Sequence, residues 1–224
     1  ENKSEAESGG EGEDGLLGRD DVCLLLHTSG TTLKPKLVPL THRNLGTAAL
    51  CIVSTLGLGP RDTAVNIMPL HHLHGIMVNV LVSLVAGAAV LCTEGWSDPA
   101  TFFGHCQESR ATWYSAVPSM HLAIVLHAEK VQMRTGEVPR TSLQLARNCS
   151  AALSPAVATR LETVLECTVL PTYAMSECVP ICSNPRWGPR KLGSVGRPAG
   201  PDVRVFVPAA SLLPEGVGHR APPA

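Results

Sequence analysis

Apolar positions along this chain recur with two periods. Short runs rich in Val, Leu, Ile and Ala alternate with longer stretches in which apolar residues return every three or four positions. In order the pairs are Val22–His27 then Thr41–Leu56, Thr63–Met68 then Leu73–Ala86, Ala88–Cys92 then Asp98–Ser109, Thr112–Ala116 then Pro118–Glu129, and Leu143–Arg147 then Pro155–Glu166, closing on Thr168–Leu170. Strands each followed by a helix predict βαβ units, hence an α/β fold: a largely parallel sheet flanked by helices. Helix starts are signalled by Thr41, by Asp98-Pro99 and by Ser154-Pro155, where an oxygen-bearing side chain can cap free backbone N–H groups and Pro fits the first turn. A further strand-like run is Val203–Val207.

Outside the periodic region the pattern lapses. Residues 1–19 are mostly Glu, Ser and Gly, too polar to offset the entropy of ordering, and are predicted to form a disordered acidic leader. Residues 20–207 form the predicted core, and 208–224 an irregular Pro/Gly/Ala-rich tail without internal repeats. The nearly continuous apolar sequence Gly75–Cys92 raises the question of a membrane span. Asn79 and Ser83 interrupt it and Gly87 divides it into a helix-like and a strand-like half, so it is predicted to be buried core rather than a span.

Charge narrows the function classes. The first 21 residues hold eight acids against Lys3 and Arg19, which leaves 11 acids and 16 bases for the rest. Those bases are scattered, and with three Trp, two Tyr and three Phe there is little to stack on bases, so a nucleic-acid partner is disfavoured and a small anionic ligand fits better. The eight cysteines lie mostly in apolar runs without a C-x-x-C spacing, which reads as a reducing compartment, the cytosol by default. Ala221–Ala224 does not spell a peroxisomal S-K-L signal.

Candidate chemistry concentrates in Thr28-Ser29-Gly30-Thr31-Thr32-Leu33-Lys34-Pro35-Lys36, after a strand and before the helix beginning near Thr41. Hydroxyls, backbone N–H groups and an ammonium together suit polyphosphate oxygens, which accept from all three. A polar strand-to-helix turn would have a similar composition. A Walker loop is excluded, because counting from Gly30 the second Gly would be Pro35 and the final Ser/Thr would be Leu37.

The loop resembles the [ST]-S-G-[ST]-T-x-x-P-K phosphate loop of the adenylate-forming superfamily, and further similar segments follow in order. Met68-Pro69-Leu70-His71-His72-Leu73-His74-Gly75 resembles the P-L-F-H-x-H-G segment lining the acyl pocket. Three such close histidines could also suggest a metal site, but no Cys/His set recurs at ligand spacing. Arg147-Asn148-Cys149-Ser150-Ala151-Ala152-Leu153-Ser154-Pro155 is similar to the segment running along the adenine, and Tyr173-Ala174-Met175-Ser176-Glu177 to the Y-G-x-T-E signature. Gly193-Ser194-Val195-Gly196-Arg197-Pro198 matches the G-S-V-G-x-P turn. Within the superfamily of acyl-CoA synthetases, Ala174 and the stretches 111–118 and 149–155 look most like the oxalate–CoA ligase group.

The resemblance implies a reaction in which a substrate carboxylate attacks the α-phosphorus of ATP, and the acyl-AMP formed then acylates CoA. It assigns Thr28, Ser29, Gly30, Thr31, Thr32 and Lys36 to the phosphates. Tyr173 and Ala174, with Ser150, Ala151 and Ala152, fall to the adenine, Ser176 to the α-phosphate, Glu177 to Mg²⁺ and His72 to the acyl pocket. Lys36, Ser176 and Glu177 would act on the reacting phosphates. Taken alone, Glu177 reads as a charge in a helix's first turn.

Leu33 and Leu37 stand where small residues are usual in the loop; if either site required positive φ, Leu would cost about 1–2 kcal/mol there. No counterpart of the family's T-G-D segment or Lys-bearing C-terminal domain follows Val207, and the region before the loop is replaced by the acidic leader. The expectation is therefore a partial ligase core, with a non-catalytic AMP/ATP-binding remnant as the alternative.

Overall fold

The computed structural model describes residues 17–28 and 36–206. Its centre is a seven-stranded sheet whose first five strands are parallel. They lie in the order β4 (Ala89–Cys92), β3 (Thr63–Asn66), β5 (Trp113–Ala116), β6 (Leu145–Asn148) and β7 (Thr168–Met175). Antiparallel β8 (Cys178–Ser183) and β9 (Arg197–Pro198) continue from β7.

Alternation along each central strand decides which face a residue serves. Ala64, Trp113, Leu145 and Leu170 pack into one core, with Ile52 and Leu56 of helix α1 (His42–Leu56) and Met77 and Val82. Their neighbours Val65, Tyr114, Ala146 and Val169 enter a second core on the opposite face. That core is closed by Phe102 and Cys106 of α3 (Pro99–Ser109), Ile124 of α4 (Pro118–Thr135) and Leu161 of α5 (Pro155–Leu165). Both faces are covered, which is why these strands read as apolar runs without polar alternation.

The caps follow the sequence signals. The Thr41 hydroxyl accepts from the Asn44 backbone while the Asn44 side chain accepts from the Thr41 backbone; Asp98 accepts from Ala100 and Thr101, and Ser154 from Val157. The first half of Gly75–Cys92 is interior, with Met77, Val78, Asn79, Val82 and Ser83 buried, whereas Leu84, Val85, Ala89 and Cys92 are exposed, and none of the described helices is long and apolar enough to cross a membrane.

Several expectations are corrected. Val22–His27 does not join the parallel sheet. It forms β1 (Val22–Thr28), which pairs antiparallel with β2 (Lys36–Thr41) in a separate two-stranded sheet. The second strand is obscured in the sequence by Pro39, which a two-stranded sheet tolerates because both its strands are edges. Val38 and Leu40 still alternate inward. Leu37 therefore sits in an extended strand opposite His27 and carries no positive-φ penalty; Leu33 lies outside the described residues.

Glu177 opens no helix. β7 runs on to Met175, which pairs with Cys178 across the two-residue turn Ser176-Glu177. No strand forms over the described residues 203–206, and the partner of β8 is Arg197–Pro198 instead. α4 continues six residues past Glu129, because Gly136 in the left-handed conformation, not the change to polar residues, ends it. The segment His74–Leu81 is helical as expected but π-helical, and passes into α2 (Val82–Val85) with the Val82 N–H bonded to the Met77 carbonyl.

Candidate functional site

Parallel strands direct every following loop to the same edge of the sheet, where ligands of open α/β proteins gather. Asn66 ends β3, Ala116 ends β5, Asn148 ends β6, and the last residues of β7 rise beside them. The segments singled out at His72, at Ser150–Ala152 and at Tyr173–Glu177 therefore converge although up to 105 positions separate them.

Three cavities adjoin there. One of about 270 Å³ is lined by Ser150, Ala151, Ala152, Tyr173 and Ala174, with Gly193 to Val195 opposite. Tyr173 is 50% exposed, so its ring is a free face rather than a core element. A smaller one of about 170 Å³ is lined by His72, His74, Cys149, Ser150, Ala174 and Ser176 among others. A third of about 320 Å³ brings Ser176 and Glu177 against Arg43 and Asn44 of α1. Ser150 and Ala174 line both the first and the second cavity, and Ser176 both the second and the third, so the three lie side by side with common walls.

Local geometry fixes these walls. Ser150 adopts φ 72°, a left-handed conformation that costs a non-glycine residue about 1–2 kcal/mol. The loop that forces it is held by the Asn148 side-chain amide donating to the Ala151 carbonyl at 2.9 Å and by the Thr172 hydroxyl donating to the Asn148 carbonyl at 2.7 Å. The His72–His74 turn folds back on Pro69: a Cβ on Gly75 would lie 2.2 Å from the Pro69 carbonyl oxygen, so only glycine fits.

Beneath the smallest cavity lies a buried polar layer. Nε2 of His74 is 2.6 Å from the Ser115 hydroxyl, and Nδ1 is 3.3 Å from the Ser150 hydroxyl. Arg147, 1% exposed, donates from Nη1 to the same Ser115 oxygen at 3.2 Å. The Asn79 amide donates to the Asn66 side-chain oxygen at 2.7 Å. Burial, then the charge of Arg147, hold the pKa of His74 well below that of a free histidine. His72 is lowered by partial burial and by His71.

The phosphate-loop candidates divide. Thr28 and Lys36 are paired opposite each other at the ends of β1 and β2. Ser29, Gly30, Thr31 and Thr32 lie outside the described residues.

A family model described as the AMP-binding enzyme matches residues 1–218. The chain belongs to that family. Its architecture, a mostly parallel sheet flanked by helices, is that of the large domain of adenylate-forming enzymes of the acyl-CoA ligase type. The chain is 42% identical over 191 residues to an oxalate–CoA ligase of Arabidopsis thaliana, a match covering 84% of this chain and 36% of the relative. It is 35% identical over 204 residues to an oxalate–CoA ligase of Saccharomyces cerevisiae, covering 90% of this chain and 36% of the relative. Among solved structures, ATP-bound MatB from Rhodopseudomonas palustris superposes with a TM-score of 0.70 at 28% identity, over 82% of this chain and 35% of that one. The chain spans about a third of the length of the relatives it matches.

His72, the histidine that the resemblance assigns to the acyl pocket, lines the cavity of about 170 Å³ together with His74, and His74 is the buried one, at 4% exposure. Its signal lies in the sequence: His74 is the second histidine of the segment similar to P-L-F-H-x-H-G, but no role is assigned to it there. Ser115 and Arg147 fall within the stretches 111–118 and 147–155 that carry the resemblance but have no role assigned there, since nothing in a strand sequence says which side chain lies beneath a loop.

Proposed function

We propose that the chain forms the nucleotide- and acid-binding core of an ATP-dependent acyl-CoA ligase acting on a small diacid, oxalate being the leading candidate. The observation that carries this reading is the convergence of Ser150–Ala152, Tyr173–Ser176 and His72 around one cleft at the carboxyl ends of β5, β6 and β7. Likeness to two oxalate–CoA ligases supports the choice of acid.

In this reading the adenine stacks on the exposed Tyr173 ring, against the small side chains of Ala151, Ala152 and Ala174. The hydroxyl of Ser176 donates to the α-phosphate. Lys36, with Thr28, Ser29, Gly30, Thr31 and Thr32, holds the β- and γ-phosphates. His72 borders the acid. The acid's carboxylate oxygen attacks the α-phosphorus, the bond to pyrophosphate breaks, and acyl-AMP forms. The CoA sulfur, losing its proton, then attacks the acyl carbon and AMP leaves. No covalent bond to the protein is made, so these residues act by aligning two anions and offsetting their charge.

Glu177 suits a hard cation. It is exposed in the β7–β8 turn and engages in no ion pair among the described residues, and Mg²⁺ accepts one carboxylate together with phosphate oxygens. Bound there, Mg²⁺ would neutralise phosphate charge. The eight free thiols fit a reducing compartment, for which we take the cytosol.

Oxalate-dependent exchange of labelled pyrophosphate into ATP tests this directly. Exchange with oxalate that exceeds exchange with acetate is expected. No exchange with any small acid, combined with a rise in melting temperature on adding AMP, would leave a nucleotide-binding role and remove the ligase reading.

A further inference from the structure

Ser115 is fully buried, and among the described residues its hydroxyl oxygen has two hydrogen-bond partners, Arg147 Nη1 and His74 Nε2. A guanidinium can only donate. The Ser115 oxygen therefore accepts from Arg147, and its own O–H, which burial forbids leaving unmatched, has Nε2 of His74 as its acceptor. An Nε2 that accepts leaves the ring's proton on Nδ1 in a neutral imidazole. Nδ1–H then points to the Ser150 oxygen at 3.3 Å, for which no other partner occurs among the described residues. The Ser150 O–H is left to donate into the cavity that it lines together with His74.

We infer that Arg147 is a positioning residue: through Ser115 it fixes His74 as the Nδ1–H tautomer, whose N–H occupies the Ser150 oxygen, so that the Ser150 O–H is the donor the cavity presents to a carboxylate of the substrate acid. This rests on the acid-binding reading of that cavity given above. The direction of the chain, Arg147 to Ser115 to His74 to Ser150, is set by its buried end, because the cation has nothing but donors. Its open end must meet an acceptor, and a carboxylate is acceptor-only.

Two observations independent of the tautomer argument agree. Arg147 forms no ion pair among the described residues, and its Nη2 lacks a hydrogen-bond partner, so its charge is uncompensated by the protein around it. A buried cation without a counter-charge is costly, and an anion in the adjoining cavity would lower that cost. The other titratable groups near the ring, His72 and His121, are both held towards the neutral form by burial, so they do not supply the charge.

The test is long-range ¹H–¹⁵N spectroscopy of the ¹⁵N-histidine-labelled chain, which distinguishes protonated from unprotonated ring nitrogens without any ligand. His74 is expected to carry its proton on Nδ1. In Ser115→Ala the proton is expected to move wholly or in part to Nε2, and Ser115→Thr should restore the wild-type pattern. A wild-type His74 protonated at Nε2, or titrating freely like an exposed ring, would overturn the inference, as would a tautomer unchanged by Ser115→Ala. Because the wild-type spectrum alone can refute it, a variant that fails to fold does not shelter it.

In pyrophosphate exchange Ser115→Ala should raise the KM for oxalate roughly tenfold, the scale of one hydrogen bond to a charged group, while leaving the KM for ATP unchanged. Equal changes in both would overturn the assigned role. Loss of exchange in the wild type with an Nδ1–H spectrum intact would instead refute the ligase reading.

Discussion

The ring of Trp187 lies directly over Gly57, where a Cβ would come within 2.1 Å of it. Gly57 ends α1 with φ 58°, and the Arg186 guanidinium donates to the Leu56 and Gly57 carbonyls at 3.1 and 3.2 Å. The segment after β8 thus caps the helix that walls one side of the cleft. Gly57→Ala should therefore destabilise the chain by more than the roughly 1–2 kcal/mol of a left-handed alanine, because the Trp187 ring must also move. Urea unfolding measures this, and a loss below about half a kcal/mol would show that Trp187 is not seated there.

Tyr173 is expected to matter for nucleotide and not for folding, since half its surface is exposed. Tyr173→Ala should weaken ATP and AMP binding roughly tenfold, the scale of a lost base-stacking face, with Tyr173→Phe near wild type. Calorimetric titration with AMP decides it. Unchanged affinity in the alanine variant would remove the ring from the adenine site.

Glu177→Gln keeps the shape of the β7–β8 turn and removes the charge. The Mg²⁺ concentration for half-maximal pyrophosphate exchange should rise at least roughly tenfold while the melting temperature stays put. Loss of activity that added Mg²⁺ does not restore at all would argue for a role other than holding the cation.

Acid should destabilise the fold before its carboxylates titrate. His121 is fully buried, 2.9 Å from the Tyr114 hydroxyl, with Nε2 unpartnered among the described residues, and burial lowers its pKa to about 4. The unfolded chain binds that proton near pH 6.5 and the folded chain only near pH 4. The stability from keeping His121 neutral is therefore whole above pH 6.5 and drains away as pH falls to about 4, on the order of 3 kcal/mol. His74, lowered for the same reason, adds in the same direction. Denaturant midpoints between pH 7 and 4.5 should fall, and His121→Gln should flatten part of the slope. A midpoint constant over that range would mean that these rings are not buried neutral.

Much of this protein is legible in its sequence. The alternation of short apolar runs with helical stretches determined the parallel strands and the helices on both their faces, because the central parallel strands, buried on both faces, need apolar residues on each. Caps at Thr41, Asp98 and Ser154 were legible because the side chain that makes the bond is adjacent in sequence to the N–H it serves. The motifs at 68–75, 147–155 and 173–177 were legible as a family pattern in chain order.

What escaped the sequence depended on partners far along the chain. The β1–β2 sheet is separate because its strands pair with each other and not with β3, a choice made by register and packing, and Pro39 hid the second strand. Ser176-Glu177 became a hairpin turn because Cys178 could pair back onto Met175, a pairing that a local reading of charge at a helix start could not contain. Above all, Arg147, Ser115 and His74 come from three elements 32 and 41 positions apart, joined only when β5 and β6 pair in register and the π-helical segment closes over them. The sequence by itself determined which residues could line a cleft at the strands' carboxyl ends. Only the tertiary structure decided which side chains lie beneath it, because a buried hydrogen bond between distant residues is a property of packing and leaves no local pattern to read.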